Sequence, residues 1–365
     1  MNPEIARTII DYFNIPGEVL QITAFGTGHI HDTFLIKTAR NKYVLQKINH
    51  YVFRNIPELM SNIVRVTGHL NSKLEKAHAL RALNLVPTRN NKPFFTNIKN
   101  DFWRVYDFID ETSVFELPPD TDYAYEGGKA FGTFISEMAD FPDPRLYETI
   151  PDFHNMQYRL EEFNSALISN DRDRLAESKK EINFIREHAQ PLKRIYDLYL
   201  QGSIPERITH NDTKFNNILF SKKGKAVSII DLDTVMPGCI HFDFGDAVRI
   251  IGSTAAEDEP DLEKIIFNME MFRAFTRGFL FPLAPLLSKK EMETLALAPL
   301  YMTFITGLRF LTDYLRGDVY YKTDYPQHNW YRACAQFQLF RRMMASAETM
   351  RQIIYDCVGR KKFKG

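Results

Sequence analysis

The sequence has no excess of charge: 46 Lys and Arg residues balance 46 Asp and Glu residues among 365, for a formal net charge of zero. A chain that bound nucleic acid by neutralising phosphates would carry a basic surplus, so nucleic acid is not an expected partner. Cysteine is scarce. Cys239, Cys334 and Cys357 are scattered and show no CxxC spacing, which excludes a disulfide framework and fits reduced thiols in a cytoplasmic protein. Long apolar runs are missing: no stretch reaches the roughly 18 apolar residues of a membrane span, and the most apolar, Gly278 to Leu287, carries Pro282 and Pro285. The opening MNPEIARTIIDYF places Glu4, Arg7 and Asp11 where a signal peptide needs its apolar core. Internal repeats and low-complexity segments are also absent. What remains is 44% apolar, 13% aromatic and 25% charged, a chain expected to be unprocessed, soluble and monomeric, with one large domain or two lobes.

The first hundred-odd residues alternate as strands do. Gln21 to Phe25, Thr33 to Lys37 and Lys42 to Ile48 predict a β-meander, the last two joined by the polar turn TARN. Leu59, Ile63, Val66, Leu70 and Leu74 then fall at helical spacing, with Pro57 suited to a first turn. Phe94 to Ile98 and Phe102 to Ile109 predict two further strands around the turn KND. From Tyr123 the period is mainly helical, with long helices expected at Tyr123 to Met138, Met156 to Ile168, Arg172 to Leu200, Leu262 to Phe279, Lys290 to Leu315 and Trp330 to Cys357. Two short strands interrupt them, Ile218 to Phe220 and Val227 to Ile230, around the loop SKKGK. The expected architecture is therefore α+β and bilobal, a small β-rich N-lobe over 1–110 and a larger, mainly helical C-lobe over 111–365.

Chemistry concentrates in ITHNDTKFNNILFSKKGKAVSIIDLD, Ile208 to Asp233. His210, Asp212, Asn217 and Asp231 fit H-x-D-x-x-x-x-N followed by an aspartate at a strand end. Phosphoryl transfer from ATP needs a carboxylate at the acceptor hydroxyl and oxygen ligands that hold Mg²⁺ against the phosphates. Asp212 takes the first role; Asn217 and Asp231 take the second. Asp243, Phe244 and Gly245 spell DFG, yet Asp243 lies 26 positions beyond Asn217 and past Pro237 and Gly238, whereas Asp231 lies 14 beyond, one tight hairpin away. Asp231 is therefore assigned to the metal, and Asp243 and Asp246 to support of the catalytic loop. His210 is read as a brace of that loop rather than an acid or base.

HNDTKFNN, IIDLDT and GCIHFDFGDAVR together resemble the catalytic stretch of the aminoglycoside phosphotransferase and choline kinase superfamily. More narrowly, HNDTKFNN and IIDLDTVMPG, with ETIPDFHNMQYRL, TGLRFLTDYLRGDVYYK and GTGHIHDTFLI, are similar to N-acetylhexosamine 1-kinases, over about residues 26 to 322. The resemblance implies a kinase-like fold and transfer of the γ-phosphate of ATP, with Mg²⁺, to the anomeric hydroxyl of a sugar such as N-acetylglucosamine or N-acetylgalactosamine. Other small hydroxyl acceptors (another sugar, choline, homoserine, an aminoglycoside) and a non-catalytic nucleotide-binding module remain alternatives. The latter is opposed by the presence of Asp212, Asn217 and Asp231; a protein kinase is opposed by the lack of an APE-like segment.

In the N-lobe, Gly26 and Gly28 stand between two strands, where backbone amides can approach phosphates, although a plain hairpin has the same spelling. Lys47 in YVLQK is placed at the V-A-I-K lysine that contacts phosphates. Its helix partner is not evident: the expected position falls near Asn62 and Ile63, with Glu58 and Glu75 at the helix ends. Asp107, Phe108 and Ile109 resemble a hinge that binds adenine. For the acceptor, Arg309 and Asp313, four apart on one helical face, are expected to form a polar pair toward the sugar, with His31 and Tyr321 adding contacts.

Overall fold

The computed structural model describes residues 3–26, 30–74, 80–168 and 172–362. The chain divides into two compact units, Met1–Ser113 with Asp140–Pro151 and Leu219–Met236, and Val114–Ala139 with Asp152–Ile218 and Pro237–Gly365. The first break lies near the expected 110/111 boundary, but the division is discontinuous: the segment carrying Asp231 clusters with the N-terminal unit.

In the first unit, α1 (Pro3–Ile10) precedes β1 (Val19–Ala24), β2 (Asp32–Thr38) and β3 (Lys42–Ile48); α2 (Ile56–Leu74) then leads to β4 (Leu85–Val86), β5 (Phe95–Thr96) and β6 (Phe102–Asp107). The sheet order is β1-β2-β3-β6-β4, with β5 also paired to β6. Its strand pairings are antiparallel. Because strand side chains alternate, Phe34, Ile36, Tyr43, Leu45, Trp103 and Val105 share one face, and they bury it with Ala6, Ile9 and Ile10 of α1 and with Phe13. The opposite face carries Gln46 and Arg104, which lie directly across from each other. The α2 stripe of Leu59, Ile63, Val66 and Leu70 is buried as its spacing predicts. A second sheet joins β7 (Thr112–Ser113) to a later hairpin; β8 (Arg207–Thr209) precedes that hairpin's β9 (Ile218–Ser221) and β10 (Ala226–Ile229), and β11 (Met236–Gly238) follows it.

The second unit is helical: α3 (Thr121–Glu137), α4 (Met156–Ala166), α5 (Arg172–Glu177), α6 (Lys179–Leu200), α7 (Ile240–Ile251), α8 (Met269–Leu283), α9 (Lys289–Thr294), α10 (Ala298–Leu315), α11 (His328–Ala345) and α12 (Ala347–Lys362). Three of the long helices expected from periodicity are broken. The chain interrupts them at Ser178, at 295–297 and at Ser346. The expected helix from Leu262 begins only at Met269, where the Asn268 side chain accepts the N–H groups of Glu270 and Met271. Lys289–Leu315 has the length and mean hydropathy of a membrane-crossing segment, yet 83% of its most apolar window is buried; it is the core of this unit, a role its composition alone does not separate from a span.

α3 and α8 touch backbone to backbone. A Cβ at Gly128 would lie 2.2 Å from the Phe275 carbonyl oxygen, and one at Gly278 would lie 1.9 Å from that of Tyr125. Gly128→Ala is therefore expected to destabilise the protein by about 1–3 kcal/mol through forced separation of the helices. Gly68→Ala, in mid-α2 with open space around it, should stabilise by about 0.5–1 kcal/mol. Chemical unfolding of the two variants checks both signs; equal effects would contradict the packing.

Candidate active site

The loop expected to be catalytic belongs to the second unit and begins at the end of β8. Asn211 holds a left-handed backbone, φ 64°, and its side chain turns back to Thr209. The loop is tied to α7 by one carboxylate: Asp243 receives the N–H of His210 at 2.8 Å and that of Asn211 at 2.7 Å, while its carbonyl accepts the Thr213 hydroxyl at 2.7 Å. Gly245 of the DFG spelling serves packing, since a Cβ there would lie 2.3 Å from the Ala298 carbonyl oxygen. Burial pushes the Asp243 carboxyl up to about 6. His210 packs edge-on against Phe131 and Phe134. Asp246 is bound by Arg249 at 3.0 Å, and burial raises its carboxyl as well.

Asp212 follows on this loop. Burial disfavours its charge, but Lys214, 3.1 Å away, leads the neighbours that reverse the effect, so its carboxyl titrates below the ordinary value and is ionised at neutral pH. Asn217 donates its Nδ2 to the Asp212 carbonyl at 2.9 Å. That bond orients the amide and leaves Oδ1 as an oxygen of the kind Mg²⁺ takes.

The first unit holds Asp231, half-buried at φ 61° and ψ 58°, again left-handed. Two residues on, Asp233 is buried and paired with Arg104, whose Nη2 lies 2.6 Å from Oδ2 and whose Nη1 meets Oδ1. His31 Nε2 is 2.7 Å from Oδ2. His31, expected to contact the acceptor, also accepts the Asn49 N–H through Nδ1 at 3.0 Å, so both ring nitrogens are occupied within the first unit. Lys47, expected to contact phosphates, is placed by the strand register. Its strand parity places it on the Trp103 face, where it pairs with Asp101 at 2.5 Å; Gln46 is the β3 residue on the Arg104 face, its Oε1 3.0 Å from Arg104 Nε. A comparison displaced by one residue reverses the face. The expected helix partner position holds Asn62, which bonds the Tyr147 backbone and the Val235 carbonyl.

At the expected hinge, the N–H groups of Asp107 and Phe108 are bonded to the Asn84 and Lys42 carbonyls, and the Ile109 carbonyl accepts Thr112. Gly26 is left-handed at φ 79°, as a turn out of β1 requires; Gly28 and Glu75 lie outside the described residues.

Arg309 and Asp313 do not act as the expected pair. Asp313 is buried and accepts the N–H groups of Val319, Tyr320 and Tyr321 at 2.8–3.0 Å, with Asn329 Nδ2 also at 3.0 Å. It holds in place the segment whose Tyr320 and Tyr321 rings lie 6.0 and 5.7 Å from the Arg309 guanidinium. The Phe153 ring is closer still, at 5.0 Å. His154, next along, approaches the Asn211 carbonyl through Nε2 at 3.2 Å, and burial, with Arg309 nearby, lowers it to about 3, so it stays a neutral brace beside Asp212. Phe153 and His154 lie in the string ETIPDFHNMQYRL, which marks them in sequence without disclosing their contacts. Asp233 stands in IIDLDT, but its partner Arg104 lies 129 positions away and no local string joins the two.

A model of the phosphotransferase enzyme family matches residues 21–270. Among solved structures, an aminoglycoside phosphotransferase from Alicyclobacillus acidocaldarius is similar at a TM-score of 0.58 and 11% identity, covering 97% of this chain and 95% of its own. A choline kinase from Cryptosporidium parvum reaches 0.58 at 14%, covering 96% and 98%, and a Plasmodium vivax ethanolamine kinase 0.57 at 15%, covering 88% and 84%. Identities this low speak for a common fold, an antiparallel β-rich lobe and a helical lobe. The family match takes in Asp212, Asn217 and Asp231 together, and on it the chain belongs to the phosphotransferase enzyme family.

Proposed function

We propose that the protein transfers the γ-phosphate of ATP to the anomeric hydroxyl of an N-acetylhexosamine, giving the sugar 1-phosphate. The observation that carries the acceptor class is the cationic surround of Asp212. Lys214 lies 3.1 Å from its carboxylate, Arg249, itself paired with Asp246 and Glu257, adds a weaker pull, and Arg309 lies against three aromatic rings close to His154. A cationic acceptor would meet these charges unfavourably. The aromatic faces that could cage a quaternary ammonium already lie against the Arg309 guanidinium. A neutral sugar, by contrast, is gripped by directional hydrogen bonds, and a guanidinium supplies five donors in a fixed plane.

In this reading, ionised Asp212 orients the acceptor hydroxyl and takes its proton. Asn217 and Asp231 are the residues that would hold Mg²⁺, which when bound draws charge from the phosphoryl oxygens. Asp243, His154 and Asn217 keep the loop backbone rigid, so that the base is positioned before the substrate arrives.

Two outcomes test this. With Mg-ATP, ADP release should be largest with N-acetylglucosamine or N-acetylgalactosamine among hexosamines, hexoses, choline and aminoglycosides, and ³¹P NMR should identify a 1-phosphate. Arg309→Ala should raise the sugar KM roughly tenfold to a hundredfold, matching the loss of about 1–3 kcal/mol for a hydrogen-bond donor, with little change for ATP. Turnover with choline or aminoglycosides alone overturns the acceptor assignment.

The second outcome is a pH profile. A proton on Asp243, which titrates at about 6, converts an acceptor oxygen into a donor facing a backbone N–H. kcat should therefore fall as pH drops through about 6, a limb that Asp212, titrating below its ordinary value, cannot produce. Asp243→Asn should be slower at pH 7.5 by about tenfold and lack that limb; an unchanged limb in the variant contradicts the assignment.

A further inference from the structure

The loop that follows Asp231 is fixed from four directions within the first unit. Arg104 of β6 grips both oxygens of Asp233 and is itself tied to Gln46 of β3. His31, just before β2, reaches the same carboxylate. Thr149 donates its hydroxyl to the Asp233 carbonyl at 2.8 Å, and Asn62 of α2 donates to the Val235 carbonyl at 3.2 Å. Asp231 itself sits in the left-handed region, a conformation that costs a non-glycine residue energy and persists only where its surroundings over-determine it.

His31, Asp231 and Asp233 bring one potential ligand atom each within 4.8 Å of one another, so the cluster resembles a metal site in its own right. The hydrogen bonds decide otherwise. His31 Nδ1 accepts a backbone N–H, which leaves the proton on Nε2, where it is donated to Asp233. Neither nitrogen keeps a lone pair for a cation. Asp233 is already neutralised by a guanidinium on both oxygens. Of the two carboxylates, Asp231 is the one that the motif spacing assigns to a divalent cation.

We propose that Asp233, held by Arg104 and His31, is a positioning residue that sets the backbone of Asp231 and through it the affinity for a divalent cation in the nucleotide complex. The inference rests on the kinase reading above and assigns to Arg104, on the face that Lys47 does not reach, the charge pairing that orders this loop. A buried ion pair that served stability alone could be exchanged for apolar residues of similar size; one that sets a ligand could not.

Calorimetric titration of the full chain with Mn²⁺·ADP, and with ADP alone, tests this without turnover. Arg104→Lys, which keeps the charge but loses the two-pronged grip, should weaken Mn²⁺·ADP about tenfold, in the range for partners of metal ligands, and ADP alone by less than twofold. The paired change Arg104→Met with Asp233→Leu should recover the wild-type Tm yet bind Mn²⁺·ADP at least tenfold more weakly. Arg104→Lys binding as tightly as wild type, or affinity returning together with Tm in the paired variant, overturns the proposal. Wild type failing to bind Mn²⁺·ADP at all overturns the kinase reading and this inference with it.

Discussion

A carboxylate buried against two backbone N–H groups has little freedom: moving it strands both donors, and each hydrogen bond to a charged group contributes about 1.5–3 kcal/mol. Asp243 stands in that position toward His210 and Asn211. Everything chemical in the helical unit follows from the loop it fixes. Asn211 can hold its left-handed turn, Asp212 is delivered beside Lys214, and Asn217 bonds back to the Asp212 carbonyl. The cost is visible in Asp243 itself, whose carboxyl burial pushes up to about 6 even with those donors in place.

The β-rich unit uses the same device with different residues. There the buried carboxylate is Asp233, its partners are a guanidinium and an imidazole, and the left-handed residue is Asp231. In each unit a short-side-chain polar residue takes the unusual backbone angle, as sterics favour, and a buried acid from outside or beyond the turn holds it. Outside these loops, the sheet and helices follow ordinary patterns of alternation and spacing.

Those ordinary patterns explain what the sequence disclosed. Phe34, Ile36, Tyr43 and Leu45 alternate, so the meander could be read; Leu59, Ile63, Val66 and Leu70 recur at helical spacing, so α2 could be. The string from His210 to Asp231 was legible because its roles lie close in sequence. Spelling alone does not place Lys47, because strand parity selects the face and a one-residue offset is invisible without the register. The DFG spelling conceals α7, where Ile240, Phe244, Ala247, Val248 and Ile251 mark a buried helix. The Arg104–Asp233 pair and the Asp313 grip on residues 319–321 are tertiary contacts, and no local pattern encodes them. Asp313 shows the hazard plainly: four positions from Arg309 suggested a pair, yet backbone amides claimed the carboxylate.

The central claim is that Asp212, ionised and held still, is the group that meets the acceptor hydroxyl. Asp212→Asn keeps the shape of the side chain and removes its ability to take a proton. Steady-state turnover of the variant, measured alongside calorimetric binding of Mg-ATP, tests this most directly. The account predicts a fall in kcat of roughly a hundredfold or more, with nucleotide affinity within about threefold of wild type, a spread of about 0.7 kcal/mol. Turnover close to wild type at unchanged nucleotide affinity would contradict it.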